Sequence, residues 1–328
     1  MLRSAYHNIP VRGPGPARVA LGVLVFLLVA AAPARAADAM PDVVITGVRA
    51  GPGLWRVHRG SAQLWILGTV APLPKDMTWR SRRIDRIIGA TDTVLVGKPF
   101  NVGILRILWL LITQRDLVMV PGGRRLRDVL PPALYARFAA DRSKFTRSGD
   151  KWERYRPIIA AGLLQEAALR SVGLSTRLEV GAVVRKLARS RGVRVEEFQS
   201  AGVGAALDAL RTLPVVTEQK CVAAMLATVE SGLPRLVARA DAWAVGDIAR
   251  IQSLPEAAEV GECRAAVEGG GGPAVLLRRI QAGWLERLDA QLQAGGRTLA
   301  VVNMDLLLQP GGLLDRLRAQ GYRVDAPQ

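Results

Sequence analysis

Histidine is almost missing from this chain: 328 residues hold two, His7 and His58. A catalytic Zn²⁺ or similar ion normally takes histidine and carboxylate ligands and keeps one position open. One histidine beyond the first 36 residues cannot build a histidine-rich site within a single subunit. A Ser-His-Asp triad could draw only on His58, and no Gly-x-Ser-x-Gly turn is present. Cysteine is equally sparse, with only Cys221 and Cys263, and neither lies beside a histidine able to act as its base. Neither the 14-residue run Val19–Ala32 nor the ten-residue run Gly103–Ile112 reaches the roughly 20 residues that a membrane-crossing helix needs. Gly269–Gly272 does not follow a strand and open a helix as a phosphate-cradling loop would. No zinc-finger, RNA-recognition or helix-turn-helix signature occurs, so nucleic acid is not the expected partner.

What is present begins with a leader. Arg12 and Arg18 precede an apolar run of 14 residues, Val19–Ala32, and Ala34-Arg35-Ala36 gives the small-x-small pattern read by signal peptidase. Residues 1–36 are thus expected to be a signal peptide, and 37–328 a single domain in the periplasm or secreted. The alternative is an uncleaved N-terminal anchor, because the charged region before the apolar run is long. In an oxidising compartment an even cysteine count favours a Cys221–Cys263 disulfide over two free thiols.

The formal charge is +17, and +13 once the leader's four arginines are set aside. The remaining arginines are scattered along helices, which fits solvated helix faces. A weak association with an anionic membrane surface or an acidic polysaccharide is the partner class this balance implies.

Hydrophobic periodicity gives an α/β order. Leu54–Pro74 reads as a β-hairpin about Arg59-Gly60-Ser61-Ala62, with Val43–Gly47 a candidate edge strand before it. In the first strand, alternation puts Trp55 and Val57 on one face and Arg56 and His58 on the solvent side. Trp79–Ile88 reads as an amphipathic helix, Thr93–Val96 as a buried strand, and Gly103–Ile112 as a core or interface-dipping helix. Helices are expected at Pro131-Pro132, from Pro157 to Gly173, and over Glu179–Arg191, with a strand over Val193–Phe198. Leu207–Ile251 reads as helical with a break at Gly232-Leu233-Pro234. Gly269–Gly272 reads as a flexible break. A helix over Val275–Leu292, a strand over Thr298–Val302, a short helix over Gly312–Ala319 and a last strand over Tyr322–Val324 follow. Strands near both ends with helices between predict a central mixed β-sheet formed by the N- and C-terminal segments, with a mainly helical insert over 129–268.

Several stretches carry a likeness. LWRVHRGSAQLWILGTVAPLP, LPPALYARF, RADAWAVGDIARI (Arg239–Ile251) and GGLLDRLRAQGYRV together resemble the TraB/GumN family, which includes the Tiki-type metalloproteases, over nearly all of the chain after the leader. The resemblance implies a metal-binding histidine at the end of Gly68-Thr69-Val70-Ala71, a second in the segment before Gly312, and a carboxylate ending the strand that follows the first helix. Here those positions are Ala71, Leu306 and Gly97. None has a donor atom in its side chain, so no metal ligand, catalytic residue or cofactor is expected. The likeness therefore implies a degenerate relative that binds without catalysis, in an envelope or exopolysaccharide setting. Two alternatives remain: a metal-dependent peptidase or hydrolase working through replacement residues such as Asp305, and a membrane-associated envelope protein.

Overall fold

The computed structural model describes residues 51–98, 113–146, 149–176 and 180–327. The leader, Val43–Gly47, Gly103–Ile112 and Glu179 lie outside the described residues.

Two strands open the described fold, β1 (Leu54–Arg59) and β2 (Ala62–Thr69), paired antiparallel with Arg59 opposite Ala62. Gly60 takes φ +63°, the left-handed geometry that a two-residue hairpin loop needs and that glycine reaches without a Cβ penalty. Leu54, Trp55, Val57, Leu64 and Ile66 are buried, while Arg56 and His58 sit half-buried on the other side of the alternation. After β3 (Leu73–Pro74), helix α1 spans Arg82–Ala90, three residues later than the periodicity suggested. Ser81 sets its start by accepting from the Ile84 N–H at 3.4 Å, satisfying one of the unpaired amides of a first turn. Trp79 is left outside the helix and packs on Trp243, ring centres 5.7 Å apart.

β4 (Thr93–Gly97), β6 (Arg194–Phe198) and β7 (Arg297–Asn303) complete the parallel part of the sheet, and β8 (Arg323–Asp325) closes its far edge. Strand order is β6-β4-β7-β2-β1-β8. β4 pairs parallel with β6 and β7, β7 parallel with β2, and β1 antiparallel with β8. β4 and β7 are near-continuous apolar runs because parallel strands are covered on both faces. A two-stranded sheet pairs β3 with β5 (Leu174–Ser175).

The helices between these strands are α2 (Pro132–Phe145), α3 (Pro157–Ser171), α4 (Val180–Ser190), α5 (Val203–Arg211), α6 (Val215–Ala227), α7 (Leu233–Ala244), α8 (Ile248–Ser253), α9 (Ala258–Glu268) and α10 (Gly271–Ala294). Two short helices follow β7: α11 (Met304–Leu308) and α12 (Leu313–Ala319). One hydrophobic core forms around the six-stranded sheet; a second joins α2, α3 and α6 through Phe138, Leu164, Val222 and Leu226. Each fully buried side chain of this size contributes roughly 2 kcal/mol of apolar transfer energy.

Two helix boundaries differ from the sequence reading. No break occurs at Gly232-Leu233-Pro234: α6 runs through one π-helical turn, Thr228–Gly232, into α7, with Pro234 in the first turn where its missing N–H costs least. The interruptions fall instead at 212–214 and 245–247, where Pro214 precedes α6 and Asp247 caps α8 by accepting from the Arg250 N–H at 2.9 Å. The run Val215–Ala244 is long and apolar enough to cross a bilayer, but Val222, Leu226 and Trp243 on it belong to the two cores. The glycine run Gly269–Gly272 is a tight helix-to-helix corner rather than a flexible linker. A Cβ on Gly272 would stand 2.1 Å from Thr212 Oγ1, so α10 begins in close contact with the end of α5.

Candidate functional site

The three positions that the family pattern would use for metal ligands lie at or just beyond the carboxyl ends of neighbouring parallel strands. β2 ends at Thr69 opposite Asn303 of β7, and β4 ends at Gly97 beside β7. The crevice outside the carboxyl ends of such strands is where open α/β sheets place their ligands. Ala71 and Gly97 are exposed; Leu306, on α11, is half-buried against the main core.

Large side chains pack around these ends. A Cβ on Gly68 would stand 2.7 Å from Trp55 Cζ3 and 3.0 Å from Met304 Cε. On the same residue, the Gly68 carbonyl accepts a hydrogen bond from Trp243 Nε1 at 2.7 Å. At the end of β4 a Cβ on Gly97 would meet Trp284 Cζ2 at 3.3 Å, and Trp284 stands edge-on to Phe198 with ring centres 4.5 Å apart. The filling therefore comes from Trp55, Trp243, Trp284 and Met304, whereas the small residues Ala71 and Gly97 leave open surface.

The side chains present do not fit a divalent metal. Among the described residues no group of three His, Cys, Asp or Glu side chains comes together. Asp305, the acid beside Leu306, forms an ion pair with Arg239, and its own N–H is capped by Asn303 Oδ1 at 2.8 Å. His58 sits on β1, where Nε2 lies 3.2 Å from Asp325 Oδ2 of β8. It belongs to the pairing of two strands.

A cleft of about 930 Å³ opens beside α11, walled by α7, α8, α9, α10 and the segment through Gly311. Five arginines line it: Arg235, Arg239, Arg264, Arg278 and Arg316. Three carboxylates face them. Glu256 holds Arg235 at 3.1 Å and Arg264 at 2.7 Å, Asp305 holds Arg239, and Glu268 has no ion-pair partner among the described residues. Arg316 donates from Nε to the Gly311 carbonyl at 3.0 Å and from Nη2 to Gln281 Oε1 at 3.5 Å. Arg278 makes no ion pair among the described residues. The Nε atoms of Arg235 and Arg239 are buried without a hydrogen-bond partner.

Sequence reasoning found the strand-end positions but missed this cleft. Its arginines lie on four helices, α7, α9, α10 and α12, so along the chain they looked like solvated helix faces. The i,i+4 spacing of Arg235 and Arg239 was the one local signal, since it puts both on one side of α7.

Cys221 and Cys263 form a disulfide between α6 and α9. α9 has no fully buried side chain, and this bond ties the α9 wall of the cleft covalently to α6.

A sequence profile of the TraB/PrgY/gumN family matches residues 53–326. Neither a curated protein sequence nor a solved structure matches the chain.

Proposed function

This chain belongs to the TraB/PrgY/gumN family, and from that premise we propose that it is an exported, non-catalytic member that works by binding at the carboxyl end of its parallel strands. The observation that carries this reading is the residue set at the three strand ends. Ala71, Gly97 and Leu306 offer no oxygen, nitrogen or sulfur from their side chains. Backbone carbonyls bind hard ions such as Ca²⁺ weakly and do not retain a catalytic transition metal. Asp305 is held by Arg239, which argues against its service as a replacement ligand or general base.

Export rests on the leader pattern of residues 1–36, and a disulfide between Cys221 and Cys263 is at home in an oxidising compartment. The proposed setting is the cell envelope, with exopolysaccharide-associated work the favoured role. N-terminal sequencing of material from the periplasm should begin near Ala37; an intact Met1 there would indicate an N-terminal anchor instead.

The test of the binding reading is metal analysis of the mature protein purified without a His-tag. The expected content of Zn, Mn and Co is far below one per chain, with no peptidase activity sensitive to chelator. About one transition metal per chain, together with an activity lost to chelator, would overturn the reading.

A further inference from the structure

We propose that the arginine-lined cleft is an anion site that takes a ligand carrying two or more carboxylate or phosphate groups. The inference rests on the binding role proposed above and places it in the cleft beside α11, next to the end of β7.

Three features of the cleft point the same way. First, five guanidinium groups face three carboxylates, and Arg278 and Arg316 have no ion-pair partner among the described residues. A concave surface of one dominant sign, with low-dielectric walls, concentrates potential and draws oppositely charged ligands. Second, hydrogen-bonding capacity is left over inside it. Arg235 and Arg239 each keep a buried Nε without an acceptor. Unpaired buried donors on a cation are costly, and the charge of an oxyanion in the cleft offsets part of that cost. Third, the geometry is preorganised. Glu256 holds Arg235 and Arg264 together, and Asp305 fixes Arg239, so their planar forks stand in place before a ligand arrives. Guanidinium forks match carboxylate and phosphate bidentately, which lysine does not. The volume, about 930 Å³, lies within the ordinary range of small-ligand sites.

Arg278 is the informative residue because it is exposed on α10 and makes no ion pair within the described fold. Its replacement removes ligand contact without opening a core. The experiment is calorimetry on the disulfide-intact protein in low salt with chelator present, so that any metal dependence is kept separate. The probes are trigalacturonate for carboxylates on a sugar chain, pyrophosphate for phosphate, and maltotriose as the neutral sugar. Binding of trigalacturonate or pyrophosphate is expected, and the tighter of the two identifies the source of the anion. Maltotriose should not bind. Arg278→Glu should weaken the preferred probe by about tenfold or more. Arg323→Glu, an equal charge change on β8 where the side chain is 78% exposed, should leave it within about twofold. Absence of binding by both anionic probes, or equal weakening by the two variants, would overturn the proposal.

Discussion

Trp243 donates its indole N–H to the carbonyl oxygen of Gly68 at 2.7 Å, joining residues 175 apart in the chain. Gly68 begins the strand-end motif that runs to Ala71, and Trp243 lies in the helix that brings Arg235 and Arg239 to the cleft. The two signature segments are thus one structural unit, with the tryptophan fully buried between them. Trp243→Phe keeps much of the ring packing and removes the donor. The expected loss is about 2 kcal/mol, from a buried hydrogen bond and a smaller ring. A lowered guanidinium midpoint at unchanged slope would show it; an unchanged midpoint would mean that the hydrogen bond is energetically idle.

Gly97→Glu, Ala71→His and Leu306→His, made together, return donor side chains to the ends of three strands that run side by side. Neighbouring strands lie about 4.8 Å apart, close enough for such side chains to share one ion. Trp284 must give by a few tenths of an ångström, since a Cβ at Gly97 would lie 3.3 Å from it. Equilibrium dialysis against Co²⁺ is expected to show binding by the triple variant and none by the parent. Equal retention by both would place the metal elsewhere.

Reduction of Cys221–Cys263 should destabilise the protein by up to roughly 4 kcal/mol on the chain-entropy model, given the sequence separation of 42. The effect should be local first. Because α9 buries no side chain fully, its amides are expected to lose hydrogen-exchange protection before those of β7. Simultaneous loss in both elements would show that the bridge supports the whole fold.

Alkaline pH should loosen the closing edge of the sheet. Burial, followed by its hydrogen bond to Asp289, raises the Tyr322 pKa above the ordinary tyrosine value. A raised folded-state pKa gives a contribution that is complete below about pH 10 and lost as pH climbs through the higher folded value. Phenolate absorbance should therefore show a late-titrating tyrosine that Tyr322→Phe removes, and the variant should lose less stability at high pH. A titration curve unchanged by the substitution would contradict this.

Strand and helix order could be read from the chain because period-two and period-3.6 patterns are local. The hairpin about Gly60 and the strands at 93–97 and 297–303 all follow from them. The α7 boundary differs because a π turn absorbs Gly232 and Pro234 falls in the first turn of α7, an accommodation that propensity does not contain. The glycine run at 269–272 was misread for a similar reason. Its lack of side chains serves the contact with Thr212, 60 residues away. Ala71, Gly97 and Leu306 were picked out by a spaced motif, and their places at or just beyond the ends of β2, β4 and β7 follow from the strand order. The arginine cleft was not, since it exists only once α7, α9, α10 and α12 are brought together.

The parallel pairing of β2 with β7 has a consequence for synthesis. Leu64 must wait for Thr298, and β1 must wait for Arg323–Asp325. A chain delivered from its N-terminus, by ribosome or by membrane channel, first presents β1 and β2 as an isolated hairpin with both edges open. Such hairpins are marginal in water, and open edges invite pairing with other chains. Contacts this distant in sequence also make the search slow. A chain stopped ahead of Arg297 is therefore expected to expose unpaired strand edges and aggregate instead of giving a smaller folded protein.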